Sequence, residues 1–116
     1  MINMKEAQVH LINKIFNDKT IRTVWNKEEE KYYLSVIDIV NVLMENEYQD
    51  SKNYWKVLKH RLKKEGNETV TNCNQLKLKA QDGKYRLTDV ADIEGMFRII
   101  ESIPSNDAEI MVSVFG

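Results

Sequence analysis

Residues 52 to 64 read KNYWKVLKHRLKK, with six lysines and arginines, one histidine and no acid. At about 100° per residue, Lys52, Lys56, Lys59 and Lys63 fall within a helical sector of about 60°. Trp55, Leu58 and Leu62 centre about 90° away. One helix can therefore dock through an apolar face and present a charged stripe beside it. His60 and Lys64 extend the basic side. Arg61 lies at the opposite edge of the apolar face, where its planar fork suits a phosphate or an internal carboxylate. A helix built only for solubility usually intersperses Glu with Lys at four-residue spacing. An acid-free stripe repels itself, and a polyanion relieves that repulsion while releasing counterions. The other reading, a solvated helix face, stays open. Asn53, beside Lys52 and Lys56, has the side chain that can pair with a base edge, and Lys56 and His60 come next. A polar residue facing water near the helix start accounts for Asn53 equally well. Tyr54 and Trp55 could stack on unpaired bases, but Trp55 is in register with Leu58 and Leu62, which favours core packing.

Other chemistry is poorly served. Asp82-Gly83-Lys84 contains the acid-x-Lys fragment of some metal-dependent nucleases, but that reaction needs further acids converging on a metal, and a hairpin turn explains the residues better. Cys73 is the single cysteine, and with His10 and His60 it makes no spaced ligand set. There is no phosphate-binding glycine loop and no nucleophile paired with a base. The expectation is therefore a binding domain, with no catalytic residues, no metal and no cofactor.

The chain's 116 residues suit a single domain spanning 1–116, and 42% hydrophobic and 30% charged residues mark it as folded rather than disordered. No long apolar run or N-terminal apolar segment is present, so a cytoplasmic protein away from membranes is expected. The total charge of −1 conceals an asymmetry. Between residues 52 and 86 ten bases face three acids, or +7, and the remainder holds seven bases and fifteen acids, or −8. A domain divided this way can show one basic face at a near-neutral total.

The elements that must position these residues follow from periodicity. Residues 12–17, 21–26 and 32–36 read as extended, with the charged tip KEEEK as a solvated turn. From Val36 the apolar positions shift to helical spacing over 36–45, with Ser35 as N-cap and Asp38 three residues on. Asp50 and Ser51 are candidate caps for the basic helix, which Gly66 ends. LKLKAQDGKYRL alternates around Asp82-Gly83 and predicts a hairpin over 76–87, with Lys77 and Lys79 sharing one face of their strand and Lys84 and Arg86 one face of theirs. Thr88 is read as the cap of a helix over 89–101 with Val90, Ile93, Phe97 and Ile100 as its apolar stripe. Pro104 ends that helix, and Ser105 is read as the cap of a last one, DAEIMVSVF. The fold class is α+β, small antiparallel hairpins or a sheet packed with three to four helices. Its order of short helix, turn, basic helix and hairpin matches a helix-turn-helix with a wing.

These blocks together carry a family resemblance. Asn53-Tyr54-Trp55, Leu58-Lys59, Arg61-Leu62 and Glu65-Gly66, followed by LKLKAQDGKYRLTDVAD, IIESIPS and Ala108-Glu109, resemble the BRO N-terminal domain. The form is similar to that of prophage antirepressors and damage-inducible D-like proteins, and YLSVID (33–38) resembles the family's strand entering its first helix. The resemblance covers about residues 14 to 110. It implies a DNA-binding domain of a viral or prophage regulator, usually joined to a different C-terminal domain, although IMVSVFG departs from the family's continuation. By position it assigns DNA contacts to Lys56, Lys59, Arg61, Lys63 and Lys64 and to the hairpin bases Lys84 and Arg86. Lys52, Asn53 and His60 complete the candidate DNA-binding set. The implied partner is double-stranded DNA. The alternative partner is a repressor protein, since an antirepressor can act by gripping a repressor.

Overall fold

The computed structural model describes residues 20–44, 48–66, 74–105 and 107–115. The expected extended segment over 12–17, together with His10 and Cys73, lies outside them. The elements run β1 (Thr23–Asn26), β2 (Lys31–Ser35), α1 (Val36–Met44), α2 (Tyr48–Lys64), β3 (Asn74–Lys79), β4 (Tyr85–Ala91), α3 (Ile93–Glu101) and α4 (Asp107–Phe115). The protein is α+β as expected, with both hairpins joined into one antiparallel sheet of order β1-β2-β4-β3.

α1 is apolar almost all round, and such a helix belongs inside. Val36, Ile39, Val40 and Val42 are fully buried, and the cluster around them takes Leu34 and Ala91 from the sheet. Trp55, Leu58 and Leu62 join it from α2, Met96, Ile99 and Ile100 from α3, and Met111 from α4. Full burial of each large aliphatic residue contributes about 1.5–3 kcal/mol. Tyr33, Leu78 and Val90 form a smaller cluster, packed by Val24 and Leu76. The registers Ser35↔Val90 and Val24↔Tyr33 put this cluster on the sheet face opposite Leu34 and Ala91.

Ser35 caps α1 as expected, its Oγ accepting from the Asp38 N–H at 3.4 Å. Asp38 does not turn back to the cap. It receives the Arg22 backbone N–H and Nε on Oδ2 at 2.9 and 2.8 Å, and Nη2 on Oδ1 at 3.1 Å. Arg22 Nη1 also donates to the Lys79 carbonyl at 3.1 Å, tying the entry to β1 to the far edge strand of a curled sheet. With the Asp38 side chain only 6% exposed, the forked guanidinium is what makes its burial tolerable.

Two expected helix starts are corrected. α2 begins at Tyr48, so Asp50 and Ser51 sit inside its first turn instead of capping it. Ser51 is buried against α1 and accepts from Asn41 Nδ2 at 3.1 Å. Thr88 caps nothing: β4 runs through Ala91, and Asp92 caps α3 by accepting the Gly95 N–H at 2.8 Å. Pairing of Val90 with Ser35 and Asn74 on its two sides holds that segment extended, which local periodicity could not register. Ser105 accepts the Ala108 N–H on its carbonyl at 3.2 Å at the start of α4, and its Oγ donates to the Leu43 carbonyl at 2.9 Å, tying that start to the end of α1. The KEEE turn is more than solvated charge, because Glu29 accepts from Tyr33 Oη at 2.8 Å and Asn26 Nδ2 at 3.1 Å.

Replacing Arg22 by Ala leaves the Asp38 carboxylate buried without its fork. The expected loss is about 3 kcal/mol, read as a lower urea midpoint at neutral pH.

Candidate nucleic-acid interface

α2 seats itself through Ser51, Trp55, Leu58 and Leu62, which recur on one face and are all buried. Gly66 ends it in the left-handed region at φ 75°, with its N–H donating to the Lys63 carbonyl at 3.1 Å, the hydrogen bond of a Schellman-type end. Lys52, Lys56, Lys59 and Lys63 then run along one flank. Asn53, Val57, His60 and Lys64 point away from the core, and Arg61 lies on the other flank.

The lysine flank faces the β3–β4 hairpin, and the contact that fixes this is Asp89. Its Oδ2 receives Lys59 Nζ and the Trp55 indole N–H, both at 2.8 Å, and its Oδ1 receives Gln75 Nε2 at 2.9 Å. The buried indole thereby finds the partner it requires, and the helix is locked to both strands of the hairpin at once. Burial by itself would raise the Asp89 pKa. The donors from Lys59, Trp55 and Gln75 outweigh it and hold the carboxyl below the usual carboxylate range.

The sheet register sorts the hairpin by face. Gln75↔Asp89, Lys77↔Leu87 and Lys79↔Tyr85 lie on the side that meets α2, and Leu78↔Arg86 on the other. The loop closes with Gly83 N–H to the Ala80 carbonyl at 3.0 Å and Ala80 N–H to the Lys84 carbonyl at 2.8 Å. Gly83 sits at φ 85°, the left-handed residue that a three-residue hairpin loop needs. Asp82 accepts the Lys84 backbone N–H at 3.0 Å and forms an ion pair with Arg86 at 2.6 Å, and Arg86 foremost, then Lys84, lower its pKa. A cleft of about 1100 Å³ separates the helices from the hairpin, with Lys52, Asn41 and Trp55 on one side and Gln75, Lys79 and Leu87 on the other.

The expected residues therefore divide. Lys52, Asn53, Lys56, His60, Lys63 and Lys64 are all exposed on α2, and among the described residues Lys56, Lys63 and Lys64 take part in no ion pair. Lys59 is occupied by Asp89 and its side chain is only 27% exposed. Arg61 lies 4.0 Å from Glu65, an exposed pair one helical turn apart. Arg86 is paired with Asp82 on the hairpin face turned away from Lys77 and Lys79, and Lys84 is exposed at the loop. Sequence reasoning missed Asp89 and Gln75, because it placed residue 89 at a helix start. Strand alternation continued from Tyr85 to Ala91 would have brought Asp89 to the face of Leu87.

Among the described residues, no helix is long and apolar enough to cross a membrane and no cluster of His, Cys, Asp or Glu could hold a metal ion. No protein-family model, curated protein or solved structure matches the chain.

Replacing Asp89 by Asn keeps the shape but removes the charge that Lys59, Trp55 and Gln75 share, at an expected cost of about 2 kcal/mol at pH 7. Because the native pKa is depressed, this contribution is complete above the unfolded value of about 4 and is lost as the pH falls through the native value. In urea melts the gap between wild type and variant should be full at pH 7 and close progressively below about pH 4.

Proposed function

We propose that this chain is a DNA-binding domain of a phage- or prophage-derived regulatory protein of the antirepressor kind, within the BRO N-terminal family that its sequence resembles. The carrying observation is the set of exposed lysines on α2, Lys56, Lys63 and Lys64, with no ion-pair partner among the described residues. Lys77 and Lys79 stand on the adjoining hairpin face. Such a surface supports phosphate contact, because point charges at helical spacing can follow a polyanionic backbone and gain from counterion release. Lys52, Lys56, Lys63 and Lys64 hold the backbone in this reading, while Asn53 and His60, projecting from the outer face, meet base edges in the major groove. Lys59 positions the helix through Asp89 and is not itself a phosphate contact.

Duplex affinity should fall with salt at about −0.9 in log–log slope per phosphate neutralised, so about −3 to −4 for these four lysines. The joint change Lys56→Glu and Lys63→Glu should abolish binding at about 50 mM salt while leaving circular dichroism and melting unchanged. Lys59→Glu, in contrast, sets two carboxylates together at Asp89 and should lower stability as well. A salt-independent affinity, or binding that survives the Lys56/Lys63 change, would turn the reading toward a protein partner such as a repressor.

A further inference from the structure

Three exposed features stand apart from the lysine stripe: Val57 on α2, Trp25 on β1, and the outer half of the β3–β4 hairpin. The first two are single apolar residues of a kind common on protein surfaces. The hairpin is different. Tyr85 and Leu87 are 67% and 62% exposed. They are two residues apart on one strand face, and each pairs directly across with a lysine, Lys79 and Lys77.

That face concentrates the hairpin's uncompensated charge. Arg86, on the opposite face, is neutralised by Asp82, whereas Lys77 and Lys79 take part in no ion pair among the described residues. Apolar side chains framed by cations match a ligand with anionic rims and apolar surface between them, which describes a nucleic-acid groove where a base step opens to expose its stacking faces. The same face carries Asp89, bound to α2, so it continues directly from the helix surface. With a rise of about 3.4 Å per residue, Tyr85 lies roughly 14 Å beyond Asp89 along β4. A B-form major groove is about 12 Å wide and the minor groove about 6 Å. A span of that length is enough to reach from a helix seated in the major groove across one backbone to the neighbouring minor groove.

Resting on the DNA-binding reading above, we propose that Tyr85 and Leu87 enter the minor groove beside the helix site and wedge against a base step, with Lys77 and Lys79 on the flanking phosphates, so that the protein bends its DNA. An apolar wedge partly unstacks a step and kinks the duplex by about 20–90°. Pyrimidine–purine steps yield most readily and stiff A-tracts least. Part of the specificity then comes from deformability at a position where α2 touches no base.

The test uses the whole chain and end-labelled duplexes of about 25 base pairs, one set with a TA step beside the helix site and one with an A-tract there. Wild type should shorten the end-to-end distance of the TA duplex by energy transfer and bind it about ten-fold more tightly than the A-tract duplex. The joint change Tyr85→Ser and Leu87→Ser should remove the bend and that preference while keeping the salt slope. Tyr85→Phe with Leu87→Met should retain both. Equal wild-type affinity for the two duplexes overturns the proposal whatever the variants do, as does a bend that persists in the folded serine variant. Absence of any duplex binding by wild type at low salt defeats the parent reading and this one together, whereas straight, salt-dependent binding defeats only this one.

Discussion

The Asp89 carboxylate is the contact on which the proposed surface depends. It gathers an ammonium and an indole N–H from α2 and an amide from β3, and it sits on β4. Without it, the basic helix and the hairpin would be two elements joined only through the core. With it, one lysine is spent as a positioning group so that the others keep a fixed relation to the strand face carrying Lys77 and Lys79. The side chain of Asp89 is only 12% exposed, so its hydrogen bonds act in a medium where charge-assisted donors count for more than at the surface. A fully satisfied polar network of this kind stiffens what it joins.

A second clip, Arg22 with Asp38, acts at the other end of the hairpin. Through Arg22 Nη1 it reaches the Lys79 carbonyl, where β3 gives way to the loop, while its carboxylate belongs to the first turn of α1. The two acids thus bracket the hairpin from opposite ends, one near its base and one near its tip. Both are acids in a chain whose middle is strongly basic, and both are turned inward. The exposed charge left on α2 and on the adjoining hairpin face is accordingly almost all positive.

Much of the fold was legible because it is written in local chemistry. The change at Ser35 from alternating to helical spacing marked α1, Gly66 marked the end of α2, and Asp82-Gly83 marked the second turn. Trp55 proved to be core, as its register with Leu58 and Leu62 had indicated. The illegible parts depend on partners distant in sequence. Residues 88 to 91 remain in a strand because Ser35 and Asn74 flank Val90, and Ser51 is buried because Asn41 meets it. The candidate site divides the same way. A periodic stripe announced the basic face, but only the sheet register shows that Arg86 and Lys79 leave the hairpin on opposite sides, and only the Lys59–Asp89 contact separates a structural lysine from its neighbours.

The most direct test of a joint helix–hairpin surface is a nuclear magnetic resonance titration of the isotope-labelled chain with a short duplex at low salt. Backbone shifts should move together at Asn53, Lys56, His60 and Lys63 on α2 and at Lys77, Tyr85 and Leu87 on the hairpin, with α3 and α4 little changed. Shifts confined to α3 and α4, or a spectrum indifferent to the duplex, would contradict that surface.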